Sequence, residues 1–299
     1  MLKKPATLLF AAGAVGLGWS STAQGPKSAN AGAATPLKAV RLASGLRLRY
    51  LEQGPASAPA VIMLHGYTDT SFSFSRVLPL LPSSLRVIVP DQRGHGQSDR
   101  PESGYSIPDF ATDVVQLLDA LRIPRASLVG HSMGHLVARQ VALAAPDRVE
   151  RLVLLSGGPV YRNAVIDDLR KAVDGLTDPV GPAFARDFQE STVHRPVPAE
   201  FIDRVVADSA AMPARIWKAA LEGQMSHTVN HAAIARPSLV IGGDRDAVFS
   251  RAELEQVGHA IPGATLRILP DVGHAPHWEQ PDLIARAIAD FLAAPSGTR

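Results

Sequence analysis

The chain has 299 residues, 46% hydrophobic and 19% charged, with 24 Gly, 24 Pro and no Cys, and 30 Lys+Arg against 28 Asp+Glu leave a net charge of +2. That length supports one large α/β domain or two modest ones around a sizeable core. The balanced charge, with no basic stripe, speaks against a nucleic-acid partner. The lack of cysteine excludes disulfides, thiolate metal sites and a thiol nucleophile.

The first residues read as an address. Lys3 and Lys4 precede a 14-residue, mostly apolar run from Ala6 to Trp19, and Ser21-Thr22-Ala23 follows with small side chains. A basic head, a short apolar centre and a small-residue exit predict a secretory signal peptide over residues 1–23, and hence a periplasmic or secreted protein. The alternative, an uncleaved anchor, has to contend with a run shorter than the roughly 20 residues of a membrane span. No stable span is therefore expected once the leader is removed. Residues 24–36, rich in Gly, Ala and Ser, read as a flexible linker. The leader holds two bases and no acid, so cleavage after Ala23 leaves 276 residues with 28 charges of each sign.

Val40–Leu42 and Leu46–Leu51 around Ala43-Ser44-Gly45 predict an antiparallel hairpin. Beyond it, Ala60–Leu64, Arg86–Val89, Ala126–Val129, Arg151–Leu155, Ser238–Ile241 and Thr265–Leu269 are short apolar runs without alternation. Such runs suit parallel strands covered on both faces. Between them lie amphipathic helical patterns. One follows a capping box at Ser106 and Asp109 and runs through Leu121, and others cover Met133–Ala145 and Asp282–Leu292. Strands alternating with helices predict a mostly parallel, doubly wound α/β sheet. From Pro159 to Pro237 only helical patterns occur (Asn163–Val173, Ala199–Met212, Ala214–Met225), too long a stretch for an ordinary connection. The predicted organisation is a core of residues 37–158 and 237–299 with a helical cap of residues 159–236.

Gly130-His131-Ser132-Met133-Gly134 sits between a predicted strand and a predicted helix, the context that G-x-S-x-G requires of a nucleophile elbow. The turn presents Ser132 at the sheet's carboxyl edge beside a helix N-terminus, where negative charge is favoured. A serine needs a base. His274, on the loop after Thr265–Leu269, is the candidate, with His277 as competitor. An imidazole base needs a carboxylate to hold its tautomer. Asp246 after Ser238–Ile241 is the candidate, with Asp244 as runner-up. Gly66 lets the chain fold back after Ala60–Leu64, so the Tyr67 and Met133 N–H groups form the expected oxyanion hole, with His65 as a brace. His131 and His135 share an i,i+4 spacing, but His131 precedes the helix and no third ligand follows, so no metal is expected.

With these residues in place the chain resembles the α/β-hydrolase superfamily, over Val40 to about Leu292. The resemblance rests on His65-Gly66, the loop Asp91–Asp99, the Ser132 elbow, Gly243–Asp246, and Gly273-His274 with Glu279-Gln280-Pro281. It implies structural ties at Asp91 and Arg93, no cofactor, and a subgroup of esterases, enol-lactonases, C–C bond hydrolases and cofactor-free haloperoxidase-like perhydrolases. Ser132 stands where dehalogenases and epoxide hydrolases carry Asp, which disfavours those chemistries. The expected activity is hydrolysis of a small-molecule carboxylic ester or lactone; a ligand-binding member without catalysis is the reading from another class. Phe72, Trp217 and Met225 are the candidates for an apolar substrate pocket, beside Phe74, Phe184 and Phe188.

Overall fold

The computed structural model describes residues 36–294. The predicted leader, all of the predicted linker except Pro36, and the last five residues lie outside that range. The first hairpin pairs β1 (Lys38–Arg41) with β2 (Arg47–Gln53), Val40 opposite Leu48. Then come β3 (Ala60–Leu64), β4 (Arg86–Asp91), β5 (Ala126–His131), β6 (Val149–Leu155), β7 (Ser238–Gly243) and β8 (Thr265–Leu269). They form one eight-stranded sheet in the order β1-β2-β4-β3-β5-β6-β7-β8. β1, β2 and β4 pair antiparallel, and every pairing from β4 through β3 to β8 is parallel.

The apolar runs of β3 to β7 lack alternation because both faces of the sheet are buried there, and successive side chains divide between them; β8, at the sheet's edge, departs from that expectation, with Thr265 and Arg267 exposed. Ile62, Leu64, Leu128, Leu152, Leu154 and Val240 face one side. There they pack with α1 (Ile107–Ala120), α2 (Met133–Ala144) and α7 (Arg251–Ala260). Val61, Met63, Val129, Val153, Leu239 and Ile241 face the other, against Ile284 and Ile288 of α9 (Pro281–Ala293) and Phe74. At the start of α1 the Asp109 carboxylate accepts the Ser106 N–H at 3.0 Å, the reciprocal half of the predicted capping box. The Asp91–Asp99 loop is tied internally, as the resemblance implies: Arg93 forks onto Asp113 at 2.6 and 2.5 Å, and Asp91 accepts the Ser71 and Gln97 N–H groups.

Between β6 and β7 run α3 (Ala164–Asp174), α4 (Pro182–Ser191), α5 (Ala199–Ala210) and α6 (Ala214–Met225). Phe201, Ile202 and Val205 of α5 pack with Ala275 and Trp278, which follow β8, so the inserted helices are joined to the sheet's carboxyl edge. Gly223 shows how closely. A Cβ there would lie 1.9 Å from the Tyr105 carbonyl oxygen, so α6 rests on the backbone entering α1. Gly223→Ala raises helix propensity by about 1 kcal/mol, yet overpacking here is expected to cost about 1–3 kcal/mol. Urea titration is expected to show a lower unfolding midpoint; an unchanged or higher one would contradict the close approach.

Candidate active site

Ser132 joins β5 to α2 at φ 50° and ψ −114°. A non-glycine residue at such a φ carries roughly 1–3 kcal/mol of strain, so its surroundings must hold it. Its N–H donates to the Leu155 carbonyl at 3.1 Å, and its own carbonyl accepts from the His135 N–H at 2.9 Å and the Tyr161 hydroxyl at 2.7 Å. Gly134 completes the elbow. A Cβ there would sit 2.1 Å from the Leu64 carbonyl oxygen, so only glycine lets α2 begin against the end of β3.

The structure brings the three predicted side chains into one line. His274 Nε2 lies 3.0 Å from Ser132 Oγ, and His274 Nδ1 lies 2.9 Å from Asp246 Oδ2. The Asp246 side chain is fully buried, and its other oxygen accepts the Val248 and Phe249 N–H groups at 2.8 and 3.0 Å. A carboxylate so placed accepts a hydrogen bond from Nδ1–H and keeps the proton on that nitrogen, which leaves Nε2 of the neutral ring as an acceptor facing the serine hydroxyl. Asp244 does something else: it accepts the Asp271 N–H at 2.7 Å and stays partly exposed, pinning the turn that precedes Gly273. His277 is turned away, with Nε2 3.0 Å from Ser73 Oγ and its pKa lowered to about 3 by burial and the neighbouring His274. His65 is a brace. Its Nδ1 donates to the Gly66 carbonyl, its Nε2 accepts the Gln92 N–H, and burial lowers its pKa to about 4.

The His274 loop hangs on the inserted segment. The His274 N–H donates to the Thr192 carbonyl at 2.9 Å, and the His274 carbonyl accepts His131 Nε2–H at 2.9 Å. Glu279 accepts the Gly273 N–H at 3.0 Å and, from the stretch after α4, the Arg195 N–H at 2.9 Å. Neither Tyr161 nor Glu279 is given a role by its sequence context, because each acts through backbone groups whose position only the folded chain defines.

Among the described residues the N–H groups of Tyr67 and Met133 donate to no backbone or side-chain acceptor, which leaves both available beside Ser132. In front of the serine lies a cleft of about 600 Å³, measured out into open solvent, walled chiefly by Val165, Ile166, Leu169, Phe188, Leu221 and Val248. Of the aromatic and Met residues singled out in the sequence, Phe188 lines it, whereas Phe72, Trp217 and Met225 do not. Trp217 is fully buried, donates Nε1–H to the Ser209 carbonyl and packs edge-on against Tyr67 and Phe188 from behind. Phe72 stacks on Phe201 at 5.1 Å, and Met225 is buried in the main core. The reason is packing: the largest apolar side chains of an amphipathic helix fill the seam between elements, where they lose most water. Smaller aliphatic residues face the cleft, together with Phe188, Tyr67 and Tyr161. Among the described residues no group of three or more His, Asp or Glu is placed to hold a metal. His131 points at the His274 carbonyl while His135 lies against Gly157, so that pair diverges.

Asp69 is buried at the end of the Gly66–Asp69 turn, accepting from Ser73 Oγ at 3.0 Å and Gln189 Nε2 at 3.1 Å. Burial pushes its pKa up to about 7, against the opposing pull of those two hydrogen bonds. A carboxyl raised in the folded state binds its proton more tightly there. Its stabilising contribution is full below the ordinary Asp value of about 4 and fades as pH rises through about 7. Asp69→Asn, which resembles the protonated acid, is therefore expected to gain thermal midpoint relative to wild type between about pH 5 and pH 8. A difference constant over that range would contradict the raised pKa.

Comparison with known proteins agrees with this fold. A family model described as the alpha/beta hydrolase fold matches residues 59–193. A putative carbamate hydrolase, RutD of Variovorax paradoxus (strain S110), is 34% identical over 82% of this chain and 96% of its own length. The crystal structure of a hydrolase from Pseudomonas aeruginosa PA01 superposes with a TM-score of 0.77 at 29% identity, covering 88% of this chain and all of that one. The enol-lactonase from Burkholderia xenovorans LB400 gives 0.75 at 25% identity over 87% of this chain and all of its own. The chain belongs to the alpha/beta hydrolase family. Among the described residues no helix is long and apolar enough to cross a membrane.

Proposed function

We propose that the protein is a serine hydrolase that cleaves a carboxylic ester or lactone through Ser132, His274 and Asp246. The observation that carries this reading is the continuous line of contacts from Ser132 Oγ through the imidazole to Asp246, at 3.0 and 2.9 Å. Ser132 Oγ attacks the substrate carbonyl while His274 Nε2 takes its proton, and Asp246 stabilises the imidazolium. The negative oxygen sits on the Tyr67 and Met133 N–H groups. Collapse expels the alkoxide with the proton from His274, leaving an acyl-serine. His274 then deprotonates a water that attacks the acyl carbon, and the acid departs as Ser132 regains its proton.

The largely apolar cleft supports an uncharged substrate portion there. The enol-lactonase and the carbamate hydrolase among the relatives also support carbonyl hydrolysis. Residues 159–236 fit the role of a cap, since α3, α4 and α6 contribute the cleft's walls. Residues 1–23 fit that of an export leader, in which case protein recovered from the periplasm or medium starts at Gln24; a protein retaining Met1 there would overturn the leader reading.

The test is a panel of short-acyl esters, long-acyl esters and lactones. Ser132→Ala is expected to abolish turnover. Asp246→Asn is expected to lower kcat by about 10⁴, the cost of a mis-set tautomer, and Asp244→Asn by less than about tenfold. Full turnover in Ser132→Ala would overturn the reading, and the reverse ranking of the two aspartates would move the acid role to Asp244.

A further inference from the structure

The turn that carries the Tyr67 amide runs from Gly66 to Asp69 and closes with the Asp69 N–H on the Gly66 carbonyl at 3.3 Å. Its third residue is Thr68, at φ 65°. A turn that needs positive φ at this place ordinarily takes Gly or Asn, and a β-branched side chain there is strained. Thr68 is nonetheless buried, with 1% exposure.

What holds Thr68 comes from the inserted helices. Gln189 on α4 places Nε2 3.1 Å from Thr68 Oγ1, 3.1 Å from Asp69 Oδ1 and 2.7 Å from Ser209 Oγ. Ser209 on α5 places Oγ 3.2 Å from the Thr68 carbonyl and 3.1 Å from Thr68 Oγ1. Gln189 is 1% exposed and Ser209 fully buried, so these bonds act where water does not weaken them. Both sides of the strained residue, its hydroxyl and its carbonyl, are thus gripped by the inserted segment.

Resting on the reading of Ser132 as nucleophile, we propose that Gln189 and Ser209 are positioning residues that hold Thr68 in its left-handed conformation and thereby aim the Tyr67 N–H at the oxyanion. Released, Thr68 relaxes toward negative φ, the Tyr67–Thr68 peptide swings, and the turn no longer presents its donor in register with Met133. The inserted helices then do more than shape the cleft. α4 supplies both the clamp, through Gln189, and part of the wall, through Phe188 and Ser191, so the surface that meets substrate and the oxyanion turn are tied to one element.

The experiment measures kcat and KM for 4-nitrophenyl butyrate hydrolysis on four proteins: wild type, Gln189→Met, Thr68→Gly and the double variant. Methionine keeps the volume of Gln189 without its hydrogen bonds. Loss of a whole oxyanion donor costs about 10²–10³ in kcat, and a mis-aimed one less. Gln189→Met is expected to lower kcat about tenfold while KM stays within about twofold, the mark of an interaction made in the transition state. In the Thr68→Gly background, where glycine occupies positive φ without a clamp, the same substitution is expected to cost less than about threefold. Ser209→Ala, which deletes one oxygen from the clamp, is expected to follow the same pattern if Gln189→Met does not fold. Equal losses in both backgrounds, or a change in KM with kcat intact, would overturn the clamp while leaving the serine reading in place. A wild-type protein that turns over no ester would overturn the serine reading and the clamp with it.

Discussion

One backbone constraint organises the rest of this molecule: a serine held at φ 50° between a buried strand and the first turn of a helix. The strain is local, but what holds it is distributed. The Leu155 carbonyl on the adjacent strand, the Tyr161 hydroxyl and the Gly134–Leu64 contact come from three different parts of the fold. Because β5, β6, β7 and β8 are consecutive neighbours in the sheet, the loops after β7 and β8 emerge on the same edge as Ser132. Asp246 and His274 reach the serine for that reason, although more than a hundred residues separate them from it in sequence.

Much of this was legible in the chain. Apolar runs predicted parallel strands, and each lies within a strand in the structure; for β3 to β7 burial on both faces leaves no polar face to alternate, whereas β8 at the sheet's edge exposes Thr265 and Arg267. The positions of Ser132, Asp246 and His274 followed from strand ends, which are the most strongly patterned points in an α/β chain. What escaped was of another kind. Residues in the inserted helices show a helical period, but the period does not say which side meets the cleft. The most conspicuous members, Trp217 and Met225, fill the packing seam instead. Pro182–Ser191 was not anticipated as a helix, and it carries Gln189. Arg251–Ala260 was also unanticipated, although Ser250 and Glu253 form the capping box that marks its start. Asp69 and Glu279 are carboxylates whose partners are mostly backbone amides or neutral side chains, so no charge pattern announced their roles, although Glu279 stands in a motif that carries the resemblance.

The inserted helices also change how the site is understood. Thr192 accepts from the His274 amide, Glu279 joins the Gly273 amide to that of Arg195, and Gln189 and Ser209 grip Thr68. The two loops on which the proposed carbonyl chemistry would depend, one bearing the imidazole and one bearing the Tyr67 amide, both find partners in the segment between β6 and β7. Variation of cleft shape in such a fold is therefore not independent of the reacting groups, since a helix shifted to admit a different substrate also shifts their supports. The cleft itself is largely apolar and the chain beyond Ala23 carries equal numbers of acids and bases, so no charge of the protein as a whole directs it toward a charged ligand.

The most direct measurement is intact-protein and peptide mass spectrometry after treatment with a fluorophosphonate. A nucleophilic serine activated by His274 is expected to give one adduct per chain, located on the peptide that contains Ser132, and none in a Ser132→Ala variant. An unmodified protein, or an adduct on another residue that persists in the variant, would contradict the assignment of Ser132 as the nucleophile.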